Sequence, residues 1–62
     1  MFKEIKNDYL GIVWEDENGR RVQASPTRTP KYWTVETYGG GEPYKMVGTR
    51  CTWNEVQKAL ER

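Results

Sequence analysis

The stretch LGIVWEDENGRRVQA, residues 10–24, decides the predicted fold because it specifies both a hairpin and its register. A two-residue turn at Asn18-Gly19 would place Trp14 opposite Gln23 and mix polar with apolar partners on each face. A three-residue loop, with Gly19 left-handed in a bulge, instead pairs Trp14 with Val22. Only the second register makes one face consistently apolar, so we predict that one.

This register also assigns the other side chains of the hairpin to the two faces of the sheet. Ile12 falls opposite Ala24 on the apolar face, and Glu15 falls opposite Arg21 on the other face. The residues that we expect to face the core are Leu10, Ile12, Trp14, Val22 and Ala24.

A second hairpin is predicted around the glycines at residues 39–41. Pairing Val35 with Met46 places Glu36 opposite Lys45, which brings opposite charges together. In this register Val35 is buried and Lys45 lies on the exposed face. Val47 points outward as well, unless a bulge at Gly48 corrects it.

The C-terminal segment has the clearest local signal. Thr52 followed by Glu55 forms a capping box, and Cys51 and Val56 are spaced for a hydrophobic staple across it. One apolar stripe continues along the helix and contains Trp53, Val56 and Leu60. Because a helix this short is marginal alone, we expect it to dock on the sheet.

The whole chain, residues 1–62, is predicted to form a single small α+β domain. The expected order is strands at 9–15, 20–25, 31–38 and 43–50, then the helix. This gives an antiparallel sheet of three to four strands, in two hairpins, packed against one C-terminal helix. Residues 1–8 are either frayed or cover an edge of the core with Phe2 and Ile5.

Composition narrows the classes of function. The chain has one cysteine and no histidine, so it has no internal disulfide and lacks the usual zinc ligands. It contains no apolar run of the roughly 20 residues that a membrane helix needs, and no signal-peptide core near Met1. We therefore expect a cytoplasmic protein that does not bind membranes.

Catalytic machinery is not indicated by the sequence. No histidine is present to serve as a general base, and the glycines at 39–41 do not lead into a helix that could receive a phosphate. Cys51 lacks an adjacent base or resolving thiol, and the run Glu15-Asp16-Glu17 alternates faces. We expect no enzyme activity, no cofactor, no metal and no small-molecule substrate.

A binding function remains. The sheet face opposite the helix is expected to present cations and amides beside tyrosines, and such a face can contact phosphates and base edges of duplex DNA. The residues predicted to contact a nucleic acid or another partner are Arg21, Gln23, Arg28, Lys31, Tyr32, Thr34, Lys45 and Arg50.

The second half of the chain resembles a known class of DNA-binding domain. KYWTVETY, a glycine loop and VGTRCTWNEVQKAL are similar to the sheet-and-helix domains of Apetala-type ethylene-response factors and to the arm-type domains of phage integrases. The positions that match are Trp33, Gly48, Thr49, Thr52, Glu55 and Ala59. The resemblance, over residues 31–62, implies three strands packed on a helix and contact with DNA through the exposed sheet.

A different class of function is left open by the same residues. The net charge is only +1, and eight of the 62 residues are Trp, Tyr or Phe, types of which Trp and Tyr dominate protein interfaces. The alternative is therefore a small phage-type protein that binds and modulates or inhibits a host protein. Such a thin core also suits a homodimer.

Overall fold

The computed structural model describes residues 1–61 as one antiparallel sheet with a single helix. The strands follow one another across the sheet in chain order, and the helix packs over the last three of them. The elements are β1 (Lys3–Asp8), β2 (Gly11–Glu15), β3 (Arg20–Pro26), β4 (Trp33–Gly39), β5 (Glu42–Cys51) and α1 (Trp53–Leu60).

The predicted register of the first hairpin is confirmed. Trp14 lies opposite Val22, and Glu15 lies opposite Arg21. The turn is the expected three-residue loop, since the Gly19 amide donates to the Asp16 carbonyl at 3.1 Å and Gly19 has a φ of 82°. The Asp16 carboxylate also accepts from the amides of Asn18 and Arg20, both at 2.9 Å.

Residues 1–8 contain a fifth strand, so the prediction of three to four strands is wrong. β1 pairs along β2, and Phe2 packs against the core as one of the two alternatives predicted, but Ile5, expected to do the same, is 49% exposed. All six residues of β1 are exposed, and the segment KEIKND has no apolar alternation that would reveal a strand. Its backbone hydrogen bonds to β2, rather than buried side chains, hold it in the sheet.

The turn that joins β1 to β2 also corrects the start of the second strand. We expected Leu10 to lie in a strand and face the core, but it lies in the turn and is 55% exposed. β2 begins at Gly11, where a Cβ would come within 2.5 Å of the Ala24 carbonyl oxygen. Only glycine allows β3 to approach this closely.

The second hairpin has a different register from the predicted one. Val35 lies opposite Gly48, and Glu36 lies opposite Met46 rather than Lys45. Val47 is the extra residue between these two pairs, which makes a β-bulge. Two further irregularities interrupt the ladder between β4 and β5, so side-chain alternation alone could not give the pairing.

The core is a thin layer between α1 and one face of the sheet, called here the helix side; the opposite face is called the outer face. The largest fully buried side chains are Val35 and Val56. Trp53 joins the helix to the sheet, with its ring centroid 5.3 Å from that of Trp33 and 6.3 Å from that of Trp14. The buried members of the cluster are Trp14, Val22, Ala24, Val35, Cys51 and Val56.

The helix begins as the sequence predicts. Thr52 Oγ1 accepts from the Glu55 amide at 3.4 Å, and the Glu55 carboxylate accepts from the Thr52 amide at 3.2 Å. Cys51 and Val56, the predicted staple, are both buried in the core cluster. Within residues 1–61, no helix has the length and apolar character needed to cross a membrane.

Replacing Thr52 with alanine removes one half of the capping box. We expect the T52A variant to lose about 1 kcal/mol of unfolding free energy, because the Glu55 amide loses its acceptor. Urea denaturation followed by tryptophan fluorescence measures the change, and T52S, which keeps the hydroxyl, is the matched control. An unchanged midpoint for T52A would show that the cap does not stabilise the helix.

Candidate functional site

The predicted contact residues separate into three places on the fold. Arg21, Gln23 and Thr34 lie on the outer face, where Arg21 is opposite Tyr38 and Thr34 is opposite Ser25. Lys45 lies on the helix side. The remaining four lie together at one end of the sheet, and we call Arg28, Lys31, Tyr32 and Arg50 the loop-end cluster.

The arginine of β3 on the outer face is paired with a glutamate of β2. Arg21 Nε donates to Glu15 Oε2 at 2.8 Å, and this hydrogen bond raises the pKa of Arg21 above its ordinary value. This pair follows directly from the predicted register of the first hairpin. The positive charge of the guanidinium is therefore compensated by the Glu15 carboxylate before any partner binds.

The polar and acidic groups beside this pair are also engaged. Tyr44 donates its hydroxyl to Glu36 Oε2 at 2.7 Å, and the bond to the carboxylate raises the pKa of Tyr44. Tyr38 donates to the Gln23 side-chain oxygen at 3.1 Å. The outer face is thus internally hydrogen-bonded, and it carries acidic groups that repel phosphate.

The placement of Lys45 on the outer face is wrong. The bulge at Val47 shifts the ladder so that Lys45 lies opposite Thr37, which itself lies opposite Val22 on the helix side. Lys45 lines a cleft of about 380 Å³ beside the C-terminal end of α1. The cleft is also lined by Phe2, Val22, Val47, Ala59 and the ion pair of Arg20 with Glu42, whose atoms are 3.3 Å apart.

The loop between β3 and β4 carries three members of the loop-end cluster. We expected Lys31 and Tyr32 to open a strand, but the strand begins at Trp33 and both residues lie in the loop. The Tyr32 amide donates to the Thr29 carbonyl at 3.3 Å, which closes a four-residue turn. Thr27 Oγ1 accepts from the Thr29 amide at 3.2 Å, and it lies 3.1 Å from the Tyr32 carbonyl oxygen.

Arg50 reaches the same end of the sheet through strand pairing. Trp33 lies opposite Pro26 on one side and opposite Cys51 on the other, so the loop and the end of β5 are neighbours. Arg28, Lys31 and Arg50 are exposed, and none of them makes an ion pair with another residue in the described part of the chain. Lys3, Lys45 and Lys58 are also exposed and without an ion pair there, but they lie in other parts of the fold, whereas these three cations lie at one end of the sheet.

Acidic groups at this end are engaged elsewhere. Asp8 accepts from the Leu10 amide at 2.9 Å and lies 3.7 Å from the Lys6 ammonium. The Glu55 carboxylate is held by Thr52 in the helix cap. The side chain that the sequence did not single out as a contact is Trp53, which remains 43% exposed beside Trp33. The sequence signal that could have identified Trp53 is its position in the first turn of the helix, three residues after Arg50.

The side chains considered for catalysis or metal binding each have a structural role in the fold. Cys51 is buried, and burial raises the pKa of its thiol, which opposes nucleophilic reactivity. Glu17 binds the N-terminal amine, and this hydrogen bond lowers the pKa of Glu17. Asp16 orders the first turn. Among residues 1–61, no three or more Cys, Asp or Glu side chains are grouped to hold a metal ion.

Comparisons of this chain with known protein families, with curated proteins and with solved structures find no match. The positions and charges of the chain's own side chains are therefore the basis for assigning its function.

The thiol of Cys51 should react slowly in the folded protein. Burial and the raised pKa both lower the thiolate available to an alkylating reagent, so we expect iodoacetamide to react at least about 100-fold more slowly than in urea. Mass spectrometry over time measures the rate. The double variant T49C/C51A supplies an exposed thiol on the same strand as a control. Equal rates for Cys51 and the control thiol would contradict this prediction.

Proposed function

We propose that this chain is a non-enzymatic, cytoplasmic binding domain that contacts the phosphates of duplex DNA with its loop-end cluster. The observation that carries the proposal is the set of three exposed cations, Arg28, Lys31 and Arg50, that lack ion-pair partners in residues 1–61. Free cations gain most from a phosphate, because they release no existing partner when they bind it.

Neighbouring side chains suit the same ligand. Tyr32 is exposed within the cluster, and the partly exposed Trp53 lies at the same end. The bases of a duplex are stacked on one another, so Tyr32 and Trp53 suit contact with the phosphates and sugars rather than with base faces. Thr34 begins the outer face next to the cluster, so its hydroxyl is placed to contact a base edge or a sugar.

This proposal moves the main contact away from the centre of the outer face. Arg21 is bonded to Glu15. Glu36 lies on β4, one of the strands that would have to approach the DNA. Binding through that face would require the Arg21 pair to open and would bring acidic groups near phosphates. At the loop end the cations have no ion pair to open, and the acidic groups there, Asp8 and Glu55, are bonded to Lys6 and to the helix cap.

Titration of a short mixed-sequence duplex tests the proposal. About three phosphate contacts predict that log of the association constant falls with log of the salt concentration with a slope of about −2.7. Fluorescence anisotropy between about 50 and about 200 mM salt gives this slope. For the double variant R28Q/R50Q, which removes two of the contacts, we expect a slope of about −1.

Two variants control for net charge and for the outer face. R21Q/E15Q removes the paired charges of the outer face and should leave the slope of the wild-type protein almost unchanged. K58Q removes one exposed cation from the last turn of the helix, away from the loop end. Failure of the wild-type protein to bind the duplex at low salt would reject DNA as the partner.

A second candidate is a protein partner bound on the outer face. The specific observation is that Tyr44 and Met46, which are 59% and 45% exposed, flank Glu36 on a face whose arginine is already paired. Tyrosine and methionine are enriched at protein interfaces. The partner would be a host protein, or a second copy of the chain.

Substitution separates the two candidates. The variant Y44A/M46A should lose a protein partner that the wild-type chain captures from the host cell, while its DNA affinity remains unchanged. Light scattering coupled to size exclusion detects self-association of the same two proteins. Capture that depends on Arg28 and Arg50 instead, and not on Tyr44 and Met46, would reject the outer face as the protein interface.

A further inference from the structure

Lys31 has a backbone conformation that its turn would normally reserve for glycine. In the turn from Thr29 to Tyr32, Pro30 is the second residue and Lys31 is the third, with a φ of 81°. This is the geometry of a type II turn, in which glycine is favoured at the third position because a Cβ there is strained. Lys31 is the one non-glycine residue with positive φ in the described part of the chain.

Elsewhere the chain places glycine wherever the backbone turns left-handed. Gly19 does so in the first hairpin, and the glycines at residues 39–41 do so in the second. The exposed Lys31 side chain makes no ion pair within residues 1–61 that would offset the strain. The fold itself therefore gains nothing visible from a lysine at this position.

Residues held in sparsely populated backbone regions cluster at active sites, ligand-binding sites and switch regions. Lys31 is three residues from Arg28 in the same loop, and the Thr27 hydroxyl bonds within that loop hold its backbone in place. The loop thus presents two cations from a backbone that is already ordered. An ordered loop loses less conformational entropy when a phosphate binds.

We propose that Lys31 is a phosphate-contacting residue, retained at a glycine position at the expense of stability because its ammonium group binds a backbone phosphate of the DNA. This inference rests on the proposed function. It adds that substitutions removing the Lys31 charge and strain change the stability of the fold and the affinity for DNA in opposite directions. A purely structural lysine would not show that opposition.

The experiment compares K31G, K31N and K31R with the wild-type protein. Glycine and asparagine relieve the left-handed strain and remove the charge, so we expect a Tm higher by about 4 °C for K31G and a smaller rise for K31N. For both variants we expect the Kd for the mixed-sequence duplex to rise about fivefold at low salt, and the salt slope to become shallower by about 1. K31R keeps both charge and strain, so its Tm and Kd should stay near those of the wild type.

K58Q is the charge-matched control and should leave the salt slope unchanged; because Lys58 lies in the last turn of the helix, its loss should lower the Tm slightly rather than raise it. If K31G raises the Tm but leaves affinity and slope unchanged while R28Q/R50Q weakens binding, DNA binding stands and the role of Lys31 is rejected. A lower Tm for K31G would show that the lysine itself supports the fold, which also rejects the inference. If the wild-type protein does not bind the duplex, both the proposed function and the inference are rejected. If K31G then also fails to capture a protein partner that the wild-type chain captures, the loop binds a carboxylate of that protein instead.

Discussion

The pairing of Trp14 with Val22 across the first hairpin is the constraint on which the rest of the structure depends. It places both side chains on one face, and a slip of one residue would turn both of them to the opposite face. Once that face is apolar, the helix has one surface to cover, and Trp53 meets Trp14 and Trp33 there. With only valine-sized side chains fully buried, this tryptophan contact is a large part of what holds α1 to the sheet.

The same register determines the character of the opposite face. Because Glu15 falls opposite Arg21, the arginine that the sequence predicted as a contact on that face is bonded to a carboxylate. Three cations without ion-pair partners in residues 1–61 lie together at the loop end, where the strand ladder stops and turns begin. The fold therefore concentrates unpaired cations at one end of the sheet, although the net charge of the chain is only +1.

Local signals in the sequence predict the first hairpin and the start of the helix. β1 and the register of the second hairpin depend on pairing between strands, which local signals do not specify. Asp16 and Gly19 make their turn with neighbouring residues, and Thr52 and Glu55 cap the helix within one turn. β1 could not be predicted because it is held by backbone bonds and has no apolar face. The outward Val47 of the predicted register indicated a bulge near Gly48, but alternation could not fix the pairing beyond it, and Lys45 was therefore placed on the wrong face. For the loop, Pro30 before Lys31 was a readable signal of a type II turn, yet the strain at Lys31 needs the observed φ.

Both edges of the sheet differ from the regular, unprotected strand edges that recruit further strands. β1 is short, carries four charged side chains and has a register shift after Glu4. β5 is long, but Pro43 removes an amide donor and three irregularities bend its ladder. Charges, proline and bulges of this kind oppose edge-to-edge growth of a sheet. These features protect the edges of a sheet whose core is thin, since few side chains are buried beneath the helix.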